Sequence, residues 1–218
     1  MKGVIFDLDG VIVDTAKYHY RGWKRLAEHL KVEFNEKKNE ALKGLSRRDS
    51  LIALLGYTPS ESRIREWSDI KNQFYLEYIQ EINREDILPG SLRLLEEIRS
   101  VPDFKQALAS SSRNAGTVLE KLNLAEYFDA VVDGNEVIKA KPDPELFLKA
   151  AAKLNIKPER IIVFEDAASG IQAAGSAGMR AVGIGKLENL SGADLIVRDL
   201  SEIDLAKIKK LFIETVVV

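Results

Sequence analysis

An open, doubly wound α/β sheet, interrupted after its first strand by a helical insert, is the fold that these 218 residues predict. Three observations predict it. Short and uniformly apolar runs recur along the chain, and stretches with apolar residues at helical spacing separate them. One long segment, from Thr15 to Asp86, shows the helical pattern alone. A strand covered on both faces needs no polar alternation, which is the habit of parallel sheets sandwiched by helices. Alternating strands and helices build such a sheet, Rossmann-like in form.

The expected strands are residues 3–6, 106–109, 130–132, 161–164, 181–184 and 195–197, and the helices between them are 92–99, 117–122, 145–154 and 170–177. Within the insert, Trp23, Leu26, Ala27 and Leu30 fall at i, i+3, i+4 and i+7, one face of a helix. Leu51, Leu54 and Leu55 repeat the pattern, as do Phe74, Tyr78 and Ile82. Leu88-Pro89-Gly90 punctuates the return to the sheet. The expected division is therefore a core of residues 1–14 and 87–218 and a helical cap of residues 15–86.

Composition narrows the chemistry. The 32 Lys and Arg nearly balance 34 Asp and Glu, unlike the basic surface of a nucleic-acid binder. Without cysteine there is no disulfide, thiolate metal site or cysteine nucleophile. His19 and His29 are too few for a multi-histidine zinc site. The apolar run before Asp7 is far shorter than a secretory signal core, and the uncharged stretch 167–179 falls short of the roughly 18 apolar residues of a membrane span. A cytoplasmic protein without membrane or nucleic-acid partners is expected. What remains is oxygen chemistry.

In open α/β sheets ligands bind beyond the carboxyl ends of the strands. The first strand ends there in Asp7-Leu8-Asp9-Gly10, and strand 161–164 ends in Glu165-Asp166. Two like charges about 4 Å apart at an effective dielectric near 20 repel by roughly 4 kcal/mol. Four carboxylates at one edge therefore need a cation or shifted pKa values, and an all-oxygen ligand set suits Mg²⁺. Strand 106–109 runs into Ser110-Ser111-Ser112-Arg113-Asn114, whose hydroxyls and backbone N–H groups suit an anion. Lys141 precedes Pro142, with Asp143 the expected cap and Pro144 the expected first residue of the next helix. A cation, a serine hydroxyl with amides, and a lysine would share the charge of a transferring phosphoryl group, with an aspartate as nucleophile.

Two rival motifs fail. An EF-hand needs its glycine at position 6, whereas Gly10 comes three residues after Asp7. The Gly178-x-x-x-x-Gly183 string has Ile184 where a P-loop needs lysine.

The segment from Asp7 to Thr15, with Ser110, Lys141 and Glu165-Asp166 in order, resembles the motifs of the haloacid dehalogenase superfamily of phosphotransferases. The resemblance spans the whole chain, cap included. The segments around His19, 42–51 and 107–114 resemble those of its sugar phosphomutases. It implies that Asp7 is the nucleophile and Asp9 the general acid and base. By the same resemblance Mg²⁺ is held by Asp7, the Asp9 carbonyl and Asp166, with Glu165 in either a direct or a supporting role. Ser110 and Lys141 would bind the transferring phosphoryl group, and Arg47, Ser112, Arg113 and Asn114 a distal phosphate, with Ser111 beside them. Arg113 stands where the resemblance leads one to expect lysine. Thr15 would lie in the cap hinge, with His19 and Lys43 coupling cap closure to acid–base readiness.

Other readings of the cap residues stay open. Trp23 counts among the substrate-facing residues, although its spacing equally fits the cap core, and His19 shares its helix face. Lys43 and Arg47, i and i+4 if helical, fit either an anion site or a solvated basic face. Ser46 and Asp49 read as a helix cap and first turn. The implied activity is a Mg²⁺-dependent mutase interconverting β-D-glucose 1-phosphate and D-glucose 6-phosphate through an aspartyl-phosphate, with β-glucose 1,6-bisphosphate as intermediate and activator. A monomer is expected, since the cap must swing. The alternative is a phosphatase of the same superfamily acting on a small phosphate ester.

Overall fold

The strands are β1 (Lys2–Phe6), β2 (Phe104–Ala109), β3 (Ala130–Val132), β4 (Ile161–Glu165), β5 (Arg180–Ile184) and β6 (Leu195–Val197). They form one parallel sheet in the order β3-β2-β1-β4-β5-β6. The structure is a computed structural model that describes residues 1–42, 45–186, 188 and 190–213. Its first compact unit comprises Met1–Asp14 and Asn83–Val218, its second Thr15–Ile82.

Helices α5 (Ser91–Arg99), α6 (Ala115–Leu122), α7 (Glu145–Leu154), α8 (Ala168–Ser176) and α9 (Leu205–Leu211) belong to the first unit. One face of the sheet, with Ile5, Ala107, Ile161 and Val163, packs against Phe147, Ala150, Leu154 and Ala174. The alternate residues Val4, Phe6, Leu108, Ile162 and Phe164 point the other way and are equally buried. There the Phe6 and Phe164 rings stack at 4.9 Å between centroids, a contact worth about 0.5–1.5 kcal/mol beyond burial, one residue before Asp7 and Glu165. Burial on both faces is why these strands read as unbroken apolar runs.

Strand β2 begins two residues earlier than its apolar run suggests. Lys105 extends it while its ammonium donates to the Leu154 carbonyl at 3.2 Å, so a polar residue fits inside the strand. Register sets the site. Phe6 is level with both Phe164 and Leu108, so Asp7 leaves the sheet beside Glu165. The strand order reverses at β1 and β4, the switch point where such sheets bind ligands.

The second unit contains α1 (Ala16–His29), α2 (Glu36–Leu42), α3 (Arg47–Leu55) and α4 (Glu61–Tyr78). Trp23, Leu26, Ala27, Leu42, Leu51, Leu54 and Ile64 form its core. Ser46 caps α3 by accepting from the Asp49 N–H at 3.1 Å, and Ser60 caps α4 through the Arg63 N–H. Gly56, at φ 75°, ends α3 in the left-handed conformation. Leu42 ends one helix and Arg47 opens the next, so Arg47 does not continue the helix that precedes Lys43.

Helix α7 spans the expected residues 145–154, but Pro144 and Asp143 each sit one position further out than expected. Glu145 is its first residue and Pro144 its cap position, while the Asp143 carboxylate accepts from the Glu145 N–H at 3.0 Å. No helix among the described residues is long and apolar enough to cross a membrane.

Candidate active site

Asp7 is fixed first by its backbone, whose N–H donates to the Phe164 carbonyl at 3.0 Å. Lys141 reaches it from the loop between β3 and α7. The ammonium donates to Asp7 Oδ1 at 2.5 Å and to Glu165 Oε2 at 2.7 Å, with only 8% of the lysine side chain exposed. The other Glu165 oxygen accepts from the Ala167 N–H at 3.2 Å. Asp7, Glu165 and Asp166 each place a carboxylate oxygen within 4.8 Å of the others, the metal-capable cluster found among the described residues.

These distances decide the electrostatics. Burial lowers the affinity of Lys141 for its proton, but the charges of Asp7 and Glu165 outweigh it and hold the ammonium firmly protonated. Burial pushes Glu165 up to about 7 against the pull of Lys141. Asp166 rises to about 8, from loss of hydration around its carboxyl and from the charges of Glu165 and Asp7. Once all three carboxylates are ionised, they exceed the one ammonium by two charges. A divalent cation would balance them, and its oxygen ligands are present, so the residues fit a Mg²⁺-type ion.

Two glycines shape the cluster. Gly10 sits at φ 81°, and a Cβ there would lie 2.1 Å from Asp166 Oδ2. Asp9 is half-buried in the same turn, where the Gly10 N–H donates to the Val13 carbonyl at 2.9 Å. A Cβ on Gly170, in the first turn of α8, would meet Glu165 Cδ at 2.0 Å. Gly10 stands in the aspartate motif, whereas Gly170 had no sequence signal beyond being a glycine near the start of a helix.

The loop after β2 completes this unit's site. The Ser110 N–H donates to the Val132 carbonyl at 3.0 Å, and Ser110 Oγ accepts from the Ser112 N–H at 3.1 Å. That hydroxyl keeps its hydrogen for another acceptor. Ser112 Oγ accepts from the Asn114 N–H at 3.2 Å. Ser110 and Asn114 are buried, Ser112 is half-buried, and Ser111 and Arg113 are exposed. Asn114 occupies the cap position of α6 without a side-chain cap bond.

The remaining expected residues lie in the helical unit. Thr15 is buried just before α1, and its carbonyl accepts from the Tyr18 and His19 N–H groups at 3.0 and 3.1 Å. His19 Nδ1 lies 2.9 Å from the ammonium of buried Lys71, and its ring stacks on Tyr75 at 4.4 Å. Burial, Lys71 and Arg47 together hold the His19 pKa well below its ordinary value, so Nδ1 accepts from Lys71. Trp23 is buried in the helical core, with Lys71 Nζ 5.1 Å from its ring centroid. Arg47 Nη2 donates to Asn72 Oδ1 at 3.0 Å. Lys43 lies outside the described residues. Sequence reasoning missed Lys71 and Asn72. Lys71 did carry a signal, since it interrupts the buried stripe of α4 between Ile64 and Tyr75.

A buried aspartate at the end of the first strand, a lysine bridging it to a second carboxylate, and a charge deficit fit for a divalent cation define a phosphoryl-transfer site. The model of the haloacid dehalogenase-like hydrolases matches residues 4–184, and the chain belongs to that family. It is 45% identical over 210 residues to the β-phosphoglucomutase of Bacillus subtilis, covering 94% of this chain and 92% of that one. A crystal structure of β-phosphoglucomutase from Clostridium difficile superposes with a TM-score of 0.92 at 40% identity, covering both chains entirely. The chain is also 34% identical to a phosphorylated carbohydrates phosphatase of Thermotoga maritima, covering 84% of each.

Proposed function

We propose that this protein is a Mg²⁺-dependent phosphomutase interconverting β-D-glucose 1-phosphate and D-glucose 6-phosphate. The observation that carries the reading is the Lys141 bridge between Asp7 and Glu165, in a chain 45% identical to a β-phosphoglucomutase over nearly its full length. The bridge places a cation beside Asp7, where phosphoryl charge would develop.

Asp7 begins the cycle carrying a phosphoryl group. The substrate's free hydroxyl oxygen attacks that phosphorus, and Asp9 takes the hydroxyl proton. The bond between phosphorus and Asp7 breaks, and its electron pair returns to the carboxylate. The product, β-glucose 1,6-bisphosphate, turns over and offers its other phosphoryl group to Asp7. Asp7 attacks, the sugar oxygen leaves with the electron pair, and Asp9 returns the proton. Lys141 and the Ser110 hydroxyl neutralise the phosphoryl oxygens in both directions. Mg²⁺, held by Asp7, Asp166, the Asp9 carbonyl and Glu165, would supply further positive charge to those oxygens. We assign the second phosphate to Arg47, oriented by Asn72, and to Ser111, Ser112, Arg113 and Asn114. His19, Thr15, Trp23 and Lys43 are proposed to support sugar binding and acid–base timing. The same reading makes the enzyme a cytoplasmic monomer primed by the bisphosphate.

The phosphatase reading is favoured by the likeness to the Thermotoga enzyme. Phosphorus NMR with Mg²⁺, β-glucose 1-phosphate and a trace of the bisphosphate separates the two. Glucose 6-phosphate rising without inorganic phosphate supports the mutase; inorganic phosphate in its place establishes the phosphatase. Asp7→Asn is expected to abolish both turnover and hydroxylamine-labile phosphorylation, and surviving turnover would refute the covalent cycle.

A further inference from the structure

The lysine that bridges the carboxylates sits on a loop with little apolar anchorage near its tip. Between β3 and α7, Val137 packs against the core, but Ile138 is 94% exposed and Lys139 and Ala140 are exposed beside it. What grips this stretch is polar. Glu145, the first residue of α7, accepts from the Ile138 N–H at 3.1 Å and the Lys139 N–H at 2.9 Å. Lys149, one turn on, pairs with Glu145 at 2.8 Å and donates to the Glu136 carbonyl. Lys153, a further turn on, pairs with the Glu136 carboxylate at 2.7 Å and donates to the Val131 carbonyl at 2.7 Å. Spaced four residues apart, these three side chains share one face of α7.

We propose that Glu145 is a positioning residue for phosphoryl transfer: it fixes the backbone two residues before Lys141 and so aims the ammonium at Asp7 and Glu165. The proposal rests on the role given to Lys141 above. Two backbone N–H groups bonded to one carboxylate set both the position and the direction of the chain there. A displacement of about 1 Å in a reacting group can cost as much as 100-fold in rate.

The test compares Glu145→Ala, Glu145→Gln and Lys141→Ala in the full-length enzyme, with β-glucose 1-phosphate as substrate. Turnover is expressed per phosphorylatable Asp7, counted by hydroxylamine-labile labelling, so that unfolded protein does not count. Glu145→Ala is expected to lower kcat per labelled site by about 10- to 100-fold with KM within twofold of wild type. Faster amide hydrogen exchange at Ile138 and Lys139 should accompany it. Glu145→Gln, whose amide oxygen still accepts from those N–H groups, should recover to within about threefold of wild type. If Glu145→Ala keeps wild-type kcat per labelled site, or if glutamine is as damaging as alanine, Glu145 does not position Lys141. If Lys141→Ala keeps its rate, the role of Lys141 itself falls, and the inference falls with it.

Discussion

Among the described residues two lysine side chains are almost wholly withdrawn from water, one in each unit, and they are surrounded differently. Lys141 is met by two carboxylates at 2.5 and 2.7 Å. Lys71 is met by the His19 ring nitrogen at 2.9 Å and by the faces of Trp23 and Tyr75 at 5.1 and 4.9 Å. In the sheet unit the counter-charges come from strand ends that the register brings level. In the helical unit the neighbours of Lys71 include rings projecting from α1 and α4. The carboxylates around Lys141 hold its ammonium protonated, whereas burial and the Lys71 ammonium hold the His19 imidazole neutral. One arrangement suits a nucleophile. The other suits a neutral hydrogen-bond acceptor.

Breaking the first arrangement should have the larger effect. Lys141→Met leaves two carboxylates buried without their ammonium, a change that typically costs about 3–5 kcal/mol. The loss in kcat should be about 100-fold or more, as for removal of a donor to developing negative charge. Denaturant unfolding at several pH values should show the smaller stability loss below pH 7, where Glu165 can take a proton instead. An equal loss at all pH values would mean that packing, not charge, holds the cluster.

The carboxylates themselves supply the next test. Glu165 and Asp166 hold protons up to about 7 and 8 in the folded protein, above their ordinary values of 4.5 and 3.8. The folded state therefore binds more protons across that window, so the metal-free protein should lose stability as pH rises from about 5 to 9. Mg²⁺ should reverse the loss, and its apparent affinity should tighten over the same rise as protons leave the ligands. Calorimetry across this range checks both signs, and Asp166→Asn should flatten the trend.

Sharpening the second arrangement calls for a smaller change. Lys71→Met removes one cause of the depressed His19 pKa while leaving burial in place. The His19 value should rise but stay below its ordinary 6.5 when its ring resonances are titrated by NMR. In the wild type, a depressed histidine adds stability above about pH 6.5 that is lost as pH falls through its folded value. The substitution should shift the acid limb of that loss upward.

Much of this was legible before the fold was known. The apolar runs marked the six strands found among the described residues, because strands buried on both faces have no reason to alternate. Asp7, Asp9, Ser110, Lys141 and Glu165-Asp166 stood out because each follows such a run or a turn signal. Lys71 did not, since a lysine inside an apolar helical stripe reads as a flaw until its partner, 52 positions away in the chain, is seen beside it. Gly170 was equally silent, because its need for a bare Cα comes from Glu165 on another element.

The chain by itself determined which residues could do the chemistry and the order in which strands would deliver them, because local periodicity and turn residues are written residue by residue. Tertiary structure alone decided that one lysine would satisfy two carboxylates and leave a third for a cation. It also decided that Glu145 would hold the loop that carries that lysine. Those outcomes depend on register and on distances of a few ångströms between segments far apart in sequence, which no spacing along the chain encodes.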